Sequence, residues 1–297
     1  MHSATLLFSI ISLLIWVVLA FFRGGFWQLS AFDDDVLPHE ELTSRPSVVA
    51  IVPARDEAET IAHTVESLAA QSYSGELRIY VVDDHSEDGT PDVVRAVNSS
   101  ISAERRITIL QADSLPSGWT GKLWALQQGV AKAGTVAPDY YWFTDADILH
   151  APDTLQRLVS RAEAERRDLV SLMVLLHAKS LAERLLIPAF LYFFLKLYVP
   201  RWIADPKSRT AGAAGGCILL RETALQRMGG LAAIRGEVID DCALARAVKR
   251  SDGNIWMGLT RKSISLRAYT TFTEIRDMIA RTAFTQLGYS PWLLLGT

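Results

Sequence analysis

The stretch that decides the fold reads Val48-Val49-Ala50-Ile51-Val52-Pro53-Ala54-Arg55-Asp56-Glu57. Its first five residues are continuously apolar, which is typical of a strand that is buried on both faces of a sheet. A proline turn and three charged residues follow, so the chain passes from a buried strand into a polar loop. Taken alone, this loop fits an ordinary connection as well as it fits a loop that presents amides and a carboxylate to a nucleotide.

Downstream of this strand, segments typical of helices and of strands alternate along the chain. Strands are predicted at 48–52, 78–82, 107–110, 140–144 and 169–175, and helices at 60–70, 91–97, 122–133 and 152–164. Such alternation requires crossover connections, so we predict an α/β fold with a mostly parallel, Rossmann-like sheet flanked by helices. Ligands of these sheets bind at the carboxyl ends of the strands, which directs attention to the residues after Val52, Val82 and Phe143.

The N-terminus carries an apolar segment without a charged residue from position 3 to position 22. A bilayer core needs roughly 20 apolar residues in a helix. A cleaved signal peptide would have a basic start and a small-residue cleavage site, and neither is clear here. We therefore predict an uncleaved transmembrane anchor over residues 1–23. Arg23 follows the span, so the positive-inside rule predicts that the main domain is cytoplasmic.

The rest of the chain divides into three predicted parts. Residues 24–46 form an acidic connector, residues 47–270 form the α/β domain, and residues 271–297 form an amphipathic, membrane-proximal segment. The chain stops in what resembles the start of another apolar segment, so we expect a truncation before further transmembrane helices. A strongly apolar stretch at 185–198 is short for a span. It fits an interfacial or groove-lining helix, and a core helix nearly as well.

Composition excludes several classes of function. The formal net charge is −3, so the chain has no global basic field that would collect nucleic acid. The two cysteines, Cys217 and Cys242, lie far apart in the sequence and cannot build a disulfide framework or a thiolate zinc site. Apolar residues make up 49% of the chain, which indicates a buried core with some membrane contact.

Paired acids follow the second predicted strand. Asp83 and Asp84 repel each other and lose solvation at the end of a buried strand, so a purely structural sequence would seldom place them there. Capping of the next helix explains Asp88 and Thr90. Hydrogen bonds to the base or ribose of a ligand explain Asp83 and Asp84 better.

An Asp-x-Asp sequence, Asp145-Ala146-Asp147, follows the fourth predicted strand. It directs two hard oxygen ligands to one place, and Mg²⁺ or Mn²⁺ takes such ligands and bridges them to a diphosphate. The motif is common in loops and is weak when it stands alone. Its position at the end of an apolar strand, downstream of the paired acids, strengthens the metal–diphosphate interpretation.

Two further motifs stand next to predicted helices. The sequence Gly118-Trp119-Thr120-Gly121-Lys122 could offer free amides and a lysine charge to an anion. It lacks the spacing of a P-loop, and a plain turn with a solvated lysine is the alternative. Asp240 and Asp241 open a later helix, where the helix dipole explains one acid. Two acids, beside a metal–diphosphate site, suggest a general base.

In this order, the motifs resemble those of the inverting family 2 glycosyltransferases with a GT-A fold. The resemblance rests on residues 52–57, 82–90, 145–147 and 240–241, and it covers roughly residues 46–270. The N-terminal anchor and residues 118–122 and 281–287 narrow the resemblance to the hopene-associated glycosyltransferases of bacterial hopanoid pathways.

The resemblance implies a role for each candidate residue. Pro53, Ala54, Arg55, Glu57, Asp83 and Asp84 would bind the nucleotide, Asp145 and Asp147 would bind the ribose-diphosphate and Mg²⁺ or Mn²⁺, and Trp119, Lys122 and Arg281 would add donor contacts. Asp241 would be the base. Asp240 replaces the glutamate of the family's Glu-Asp pair, so the choice between the two acids stays open.

The implied activity is inverting transfer of a sugar from a nucleotide sugar, with UDP the commonest carrier, to a hydroxyl group of a lipid. The expected acceptor is a hopanoid or another isoprenoid. The expected place is a bacterial inner (plasma) membrane, with the catalytic domain facing the cytoplasm.

Other functions fit less well. Many membrane members carry Gln-x-x-Arg-Trp, whereas this chain reads Met278-Ile279-Ala280-Arg281-Thr282 and matches only the arginine, which disfavours a processive polysaccharide synthase. A non-catalytic membrane scaffold that retained the fold would be expected to lose one of the acids, and none is missing. A nucleotidyltransferase would show a glycine-rich basic loop after the first strand. A binding module would not need Asp240 and Asp241.

Overall fold

The computed structural model of the protein describes residues 2–28, 32–33, 45–102, 105–269, 271–286, 290 and 292. A sheet of eight strands forms the centre of this described part. The strands are β1 (Val48–Ala54), β2 (Leu77–Asp83), β3 (Ile107–Gln111), β4 (Tyr140–Thr144), β5 (Ile148–His150), β6 (Leu169–Leu175), β7 (Cys217–Arg221) and β8 (Ile255–Ser265). They lie in the order β3-β2-β1-β4-β7-β6-β8-β5.

The described part also contains ten α-helices, several of which cover the two faces of this sheet. They are α1 (His2–Val17), α2 (Ile61–Ala69), α3 (Thr90–Ser100), α4 (Gly121–Ala133), α5 (Thr154–Ala164), α6 (Leu181–Leu197), α7 (Pro200–Ala204), α8 (Glu222–Arg227), α9 (Asp240–Arg250) and α10 (Phe272–Gln286). Val49 and Ile51 of β1 face a core shared with α4, α6 and α9, whereas Ala50 and Val52 face a second core shared with α2, α3 and α5. Burial on both faces explains the continuous apolar run in β1.

The predicted α/β class with flanking helices is confirmed, and parallel pairing dominates one half of the sheet. Strand β1 pairs in parallel with β2 and β4, and β2 pairs in parallel with β3. The other half is mixed. Strand β7 runs antiparallel to β4 and β6, β5 runs antiparallel to β8, and β6 pairs in parallel with β8. Sequence analysis did not predict β5, β7 or β8.

The apolar N-terminal segment is helical as predicted. Within the described residues, one helix is long and apolar enough to cross a membrane, over Thr5–Phe22, and none of that window is buried. Its end is fixed to the last turn of α6. The Arg23 guanidinium donates to the carbonyl of Lys196 at 3.0 Å and stacks on the Trp202 ring. Phe26 meets Tyr192 edge-on at 5.1 Å.

One acid of the predicted connector is buried in the α/β domain. The Asp33 backbone amide donates to the Leu259 carbonyl at 2.9 Å, next to a bridge between Phe32 and β8. The Asp33 carboxylate accepts from Arg157 at 2.9 Å and from Arg161 at 3.3 Å. These contacts attach the connector to β8 and α5.

Removing this carboxylate is expected to destabilise the fold. Asp33→Ala leaves two arginines without their shared partner, and breaking such a buried pair costs about 3–5 kcal/mol. Urea unfolding of the detergent-solubilised full chain measures this cost. Glu59→Ala, at an exposed acid, is the matched control. If Asp33→Ala lowers the free energy of unfolding no more than Glu59→Ala does, the prediction is wrong.

His150 makes the stability of the fold depend on pH. Its ring is buried between Thr144 Oγ1, 2.8 Å from Nε2, and Ser263 Oγ, 2.9 Å from Nδ1. Burial lowers the pKa of His150 to about 3. The folded chain therefore keeps a neutral ring, whereas the unfolded chain takes up a proton below a pH of about 6.5.

We therefore predict that the free energy of unfolding is unaffected by this group above a pH of about 6.5 and falls by up to about 1.4 kcal/mol per pH unit below it. His150→Gln lowers the stability at neutral pH and flattens this part of the profile. His63→Gln, at an exposed histidine, leaves the profile as in the wild type. Equal slopes in all three proteins would show that His150 is not the group responsible.

Candidate active site

The loops after β1 and β2 are bonded to each other at the carboxyl edge of the sheet. The amide of Asp84 donates to the carbonyl of Ala54 at 2.8 Å, and the amide of Glu87 donates to the Asp56 carboxylate at 2.8 Å. The amide of Asp56 donates to Ser86 Oγ at 3.0 Å. Asp56 has a φ of 53°, in the left-handed region that aspartate tolerates better than most residues. The two loops thus form one rigid rim.

Asp88 and Thr90 complete this rim through local hydrogen bonds, while the N-cap position of α3 is Gly89, without a side-chain cap. One Asp88 oxygen accepts from the amide of Thr90, the first residue of α3, at 2.9 Å. The other accepts from the amide of Ala58 at 2.9 Å, while Thr90 Oγ1 accepts from the amide of Glu57 at 2.8 Å. The hydrogen bond from the Thr90 hydroxyl, with that from the Ala58 amide, lowers the pKa of Asp88.

The paired acids at the end of β2 occupy different environments. Asp83 is only 2% exposed, and its Oδ1 has no hydrogen-bond partner among the described residues. Its Oδ2 accepts only a long bond of 3.4 Å from the amide of Ser86. A buried carboxylate oxygen without a donor is costly, so this atom is suited to a donor group from a ligand.

Asp84 lies against the start of α4. A Cβ atom on Gly121 would stand 2.6 Å from Asp84 Oδ2, so only glycine allows this approach. The Arg55 guanidinium is 3.6 Å from the same oxygen. Asp84 therefore joins the rim to the first turn of α4.

Each acid of the Asp-x-Asp sequence has a cation beside it. Lys122 Nζ lies 2.7 Å from Asp145 Oδ1, and Arg267 Nε lies 3.3 Å from Asp147 Oδ2. Arg267 also donates to the Glu57 carboxylate. Burial and the nearby Asp145 carboxylate raise the pKa of Asp147, and Arg267 opposes that effect. Lys122 and Arg267 therefore partly neutralise the negative charge of Asp145, Asp147 and Glu57.

A divalent metal fits this arrangement when a ligand shares it. Within the described ranges, no group of three or more His, Cys, Asp or Glu side chains forms a metal cage. Asp145 and Asp147 supply two hard oxygens, and Mg²⁺ completes its shell with substrate phosphates and water in sites of this kind. A cation would also relieve the repulsion that raises the pKa of Asp147.

The other pair of acids, Asp240 and Asp241, opens α9 next to Lys122. Lys122 Nζ is 3.4 Å from Asp240 Oδ2, whereas the Asp241 carboxylate accepts from the amides of Gly215 at 2.8 Å and Cys242 at 2.6 Å. Burial and the Asp240 charge raise the pKa of Asp241 to about 7, against the opposing effect of Lys122. A carboxylate with such a pKa is suited to general base catalysis near neutral pH.

Lys122 connects the two groups of acids. Burial favours its neutral form, but the Asp145 and Asp240 carboxylates outweigh this effect and hold the pKa of Lys122 above its ordinary value. The ammonium group therefore stays charged at any physiological pH. It lies between Asp145 of the Asp-x-Asp sequence and Asp240 of α9 and reduces the repulsion between them.

A cleft of about 660 Å³ is lined by both polar and apolar residues. The polar ones include Arg55, Glu57, Asp84, Asp145, Asp147 and Asp241. The apolar ones, here called the apolar wall, come from the end of β6 and from α6 and include Met173, Val174, Leu176, Phe190, Leu191 and Phe194. The cleft thus offers contacts to a charged ligand and to an apolar one.

The structure brings together most of the predicted site residues. The cleft is lined by Pro53, Ala54, Arg55, Glu57, Asp84, Lys122, Asp145, Asp147 and Asp241. Asp240 lies beside Lys122 in a small adjoining cavity, and Asp83 lies in the end of β2. Trp119 packs edge-on against Trp124 at 5.2 Å and does not line the cleft. Arg281 falls in α10, and its side chain lies outside the described residues.

Sequence analysis missed two contributors to the site. Arg267 follows β8, and a charged residue just after a strand was the available signal, but β8 itself was not predicted. Gly215 lies in a run of small residues at 211–216. A Cβ atom there would lie 3.2 Å from Lys122 Nζ and 3.4 Å from Asp241 Oδ2. The glycine run lets the backbone approach the acids of α9.

Two curated relatives share part of this sequence. An N-acetylglucosaminyltransferase of Rhizobium leguminosarum bv. phaseoli is 32% identical over 117 residues, which is 39% of this chain and 25% of that protein. The succinoglycan biosynthesis protein ExoO of Rhizobium meliloti (strain 1021) is 31% identical over 121 residues, 40% of this chain and 30% of that protein. The aligned segments therefore span less than a third of these relatives.

Solved structures share the fold. The mannosyltransferase PcManGT from Pyrobaculum calidifontis, solved with GDP-Man and Mn²⁺, has a TM-score of 0.64 at 21% identity over 92% of this chain and 72% of its own. TarS of S. aureus, solved as residues 1–349 with UDP-GlcNAc, has a TM-score of 0.52 at 16% identity over 80% of this chain and 66% of its own.

One protein family matches a segment of this chain that contains most of the strands, the rim and the Asp-x-Asp sequence. The family described as Glycosyl transferase family 2 matches residues 49–229, which is more than half of the chain. The chain therefore belongs to glycosyl transferase family 2 and has a GT-A-like fold.

Proposed function

We propose that this glycosyltransferase moves a sugar, with inversion, from a nucleoside-diphosphate sugar to a hydroxyl group of a membrane lipid. The observation that carries the proposal is the mixed lining of one cleft. Asp84 and the Asp-x-Asp acids are suited to a donor, Asp241 has a raised pKa, and the apolar wall is suited to an apolar acceptor.

The donor side is suited to a nucleotide. The unpaired Oδ1 of Asp83 can accept a hydrogen bond from an N–H of the base or an O–H of the ribose. Lys122 and Arg267 place positive charge beside Asp145 and Asp147, where the diphosphate would lie. Related proteins carry GDP-Man and UDP-GlcNAc. We take a UDP-linked sugar as the donor, since relatives of similar sequence are N-acetylglucosaminyltransferases.

The chemical step is a single displacement. The acceptor hydroxyl gives its proton to the Asp241 carboxylate while its oxygen attacks the anomeric carbon, and the bond from that carbon to the diphosphate breaks. Attack from the face opposite the diphosphate inverts the configuration. The amides of Gly215 and Cys242 orient the base. When bound, Mg²⁺ or Mn²⁺ at Asp145 and Asp147 would supply charge that stabilises the leaving diphosphate.

The apolar wall supports a lipid acceptor. Phe190, Leu191 and Phe194 of α6 line the cleft, and the last turn of α6 holds Arg23, which directly follows the apolar segment Thr5–Phe22. The outer face of α6 exposes Leu181 and Leu185, at 76% and 65%.

If α1 anchors the protein, α6 lies near the membrane surface, and an acceptor can enter the cleft from the bilayer. A hopanoid or another isoprenoid fits this wall. The proposed place is a bacterial inner membrane with the catalytic domain in the cytoplasm, following Arg23 and the positive-inside rule. A polysaccharide acceptor is the second candidate, since one relative acts in succinoglycan biosynthesis.

The base assignment predicts the effect of two matched variants. Asp241→Asn keeps the shape of the side chain but cannot take a proton, so kcat falls by about 10²–10⁴-fold while donor affinity stays near the wild-type value. The kcat of Asp240→Asn falls much less than that of Asp241→Asn. Release of UDP from UDP-GlcNAc is followed with a hopanoid or polyprenol acceptor in detergent, and with a soluble oligosaccharide in parallel.

Near-normal turnover of folded Asp241→Asn overturns the base assignment. A large loss in Asp240→Asn alone assigns the role to Asp240 instead. Transfer to the oligosaccharide without transfer to either lipid would replace the lipid acceptor by the polysaccharide alternative.

The raised pKa predicts the pH dependence of the reaction. Asp241 acts only when it is deprotonated, so kcat/KM rises with pH through a midpoint near 7 and levels above it. The residual activity of Asp241→Asn lacks this rise. The measurement is kcat/KM from pH 5.5 to 9 for both proteins, with donor and acceptor controls. A wild-type profile that is flat below pH 7 is the contrary result.

A further inference from the structure

Arg267 has no role in the displacement step itself. It follows the end of β8, lines the cleft, and has a side chain that is 51% exposed. Its Nε lies 3.3 Å from Asp147 Oδ2, and its Nη2 donates to Glu57. One guanidinium therefore joins the Asp-x-Asp sequence to the loop after β1.

This contact competes with a metal. Arg267 contacts Oδ2 of Asp147, so its positive charge opposes a divalent cation that would bind the same carboxylate, and the nearby Glu57 keeps the guanidinium in place. Lys122 holds Asp145 in the same way, but it lies deeper, among the acids of both groups. Of these two cations, Arg267 has the greater freedom to turn toward a ligand in the cleft.

The backbone on either side of Arg267 is fixed. The amide of Leu266 donates to the carbonyl of Asp147 at 2.7 Å, and the amide of Tyr269 donates to the Glu183 carboxylate at 2.9 Å. Glu183 is buried and also accepts from the amide of Ser180 at 2.8 Å at the start of α6. Rotation of the Arg267 side chain can therefore release Asp147 without movement of this backbone.

We propose that Arg267 is a diphosphate-binding residue that exchanges carboxylate for phosphate. Without a donor it neutralises Asp147 and Glu57. When a nucleoside diphosphate enters, the guanidinium turns to the phosphate oxygens, which it can bind through two parallel N–H bonds, and Asp147 becomes free for the metal. This inference rests on the proposed function.

The exchange couples two ligands. The diphosphate removes a competitor of the metal, and the metal compensates the carboxylate that the arginine leaves, so each ligand raises the affinity for the other. A purely structural arginine would not produce this coupling. Removal of Arg267 therefore distinguishes the two roles. If Arg267 competes with the metal, its removal raises the metal affinity in the absence of nucleotide. If Arg267 is a structural residue, its removal lowers that affinity.

Calorimetry of the detergent-solubilised full chain tests the exchange. Mn²⁺ is titrated without nucleotide, and UDP and UMP are titrated with saturating Mn²⁺, for wild type, Arg267→Ala and Arg267→Lys. Arg276→Ala, at an exposed arginine of α10 that pairs with Asp277, is the matched control. Thermal unfolding confirms that each variant is folded, and Arg267→Lys carries the comparison if Arg267→Ala is not.

For Arg267→Ala we expect Mn²⁺ alone to bind about two- to fivefold more tightly, because a partly exposed pair has been removed. UDP binds about tenfold or more weakly, because a charged hydrogen bond is lost, and UMP binds much as in the wild type. Arg267→Lys keeps the charge but not the two-pronged geometry, and gives smaller shifts of the same signs. Arg276→Ala matches the wild type.

Weaker Mn²⁺ binding in Arg267→Ala, or an equal loss for UDP and UMP, overturns the exchange and leaves a structural arginine. If both Arg267 variants match Arg276→Ala in every titration, the exchange is also wrong. The proposed function still stands in that case, because the wild type binds UDP. If wild type binds neither UDP nor GDP with Mn²⁺, the proposed function fails and the inference falls with it.

Discussion

Repulsion between carboxylates at one edge of the sheet is the constraint on which the site depends. Six acids line or adjoin the cleft: Glu57, Asp84, Asp145, Asp147, Asp240 and Asp241. Like charges in a partly buried space raise each other's pKa or require cations between them. Here Lys122 and Arg267 separate the groups, and Asp241, which keeps no direct cation contact among the described ion pairs, has its pKa raised to about 7. Burial, together with this repulsion, raises the pKa of Asp241 and makes that carboxylate suited to act as a base.

The fold holds this charge in place through backbone groups. The loops after β1 and β2 bond to each other, the start of α4 accepts Asp84 only because Gly121 has no side chain, and a run of small residues brings a backbone amide to Asp241. None of these contacts depends on a bound ligand. The acids are thus preorganised, and a metal and a diphosphate would enter a site whose carboxylates already have their positions.

The parts that could be predicted from sequence are those whose signals are local. Strands β1 to β4 and β6 are short, mostly apolar segments. Acids at strand ends lie at one edge of any parallel sheet, so Asp84, Asp145 and Asp147 could be placed together. Strands β7 and β8 pair with strands that are distant in the sequence, so their local residue patterns do not reveal where they lie in the sheet. Arg267 meets Glu57 across 210 positions, and Asp33 meets Arg161 across 128, which no local pattern reveals. Trp119 was expected at the donor and packs on Trp124 instead, since an aromatic residue beside a motif is as readily a packing residue.

The central claim is that the Asp-x-Asp edge of this cleft binds a nucleoside diphosphate together with a divalent metal. Calorimetry with UDP, in the presence and absence of Mn²⁺, on wild type and Asp147→Ala tests it most directly. Binding that requires Mn²⁺ in the wild type and is lost in folded Asp147→Ala is the expected result. Binding of UDP that is equal with and without Mn²⁺, or that survives unchanged in Asp147→Ala, would contradict the claim.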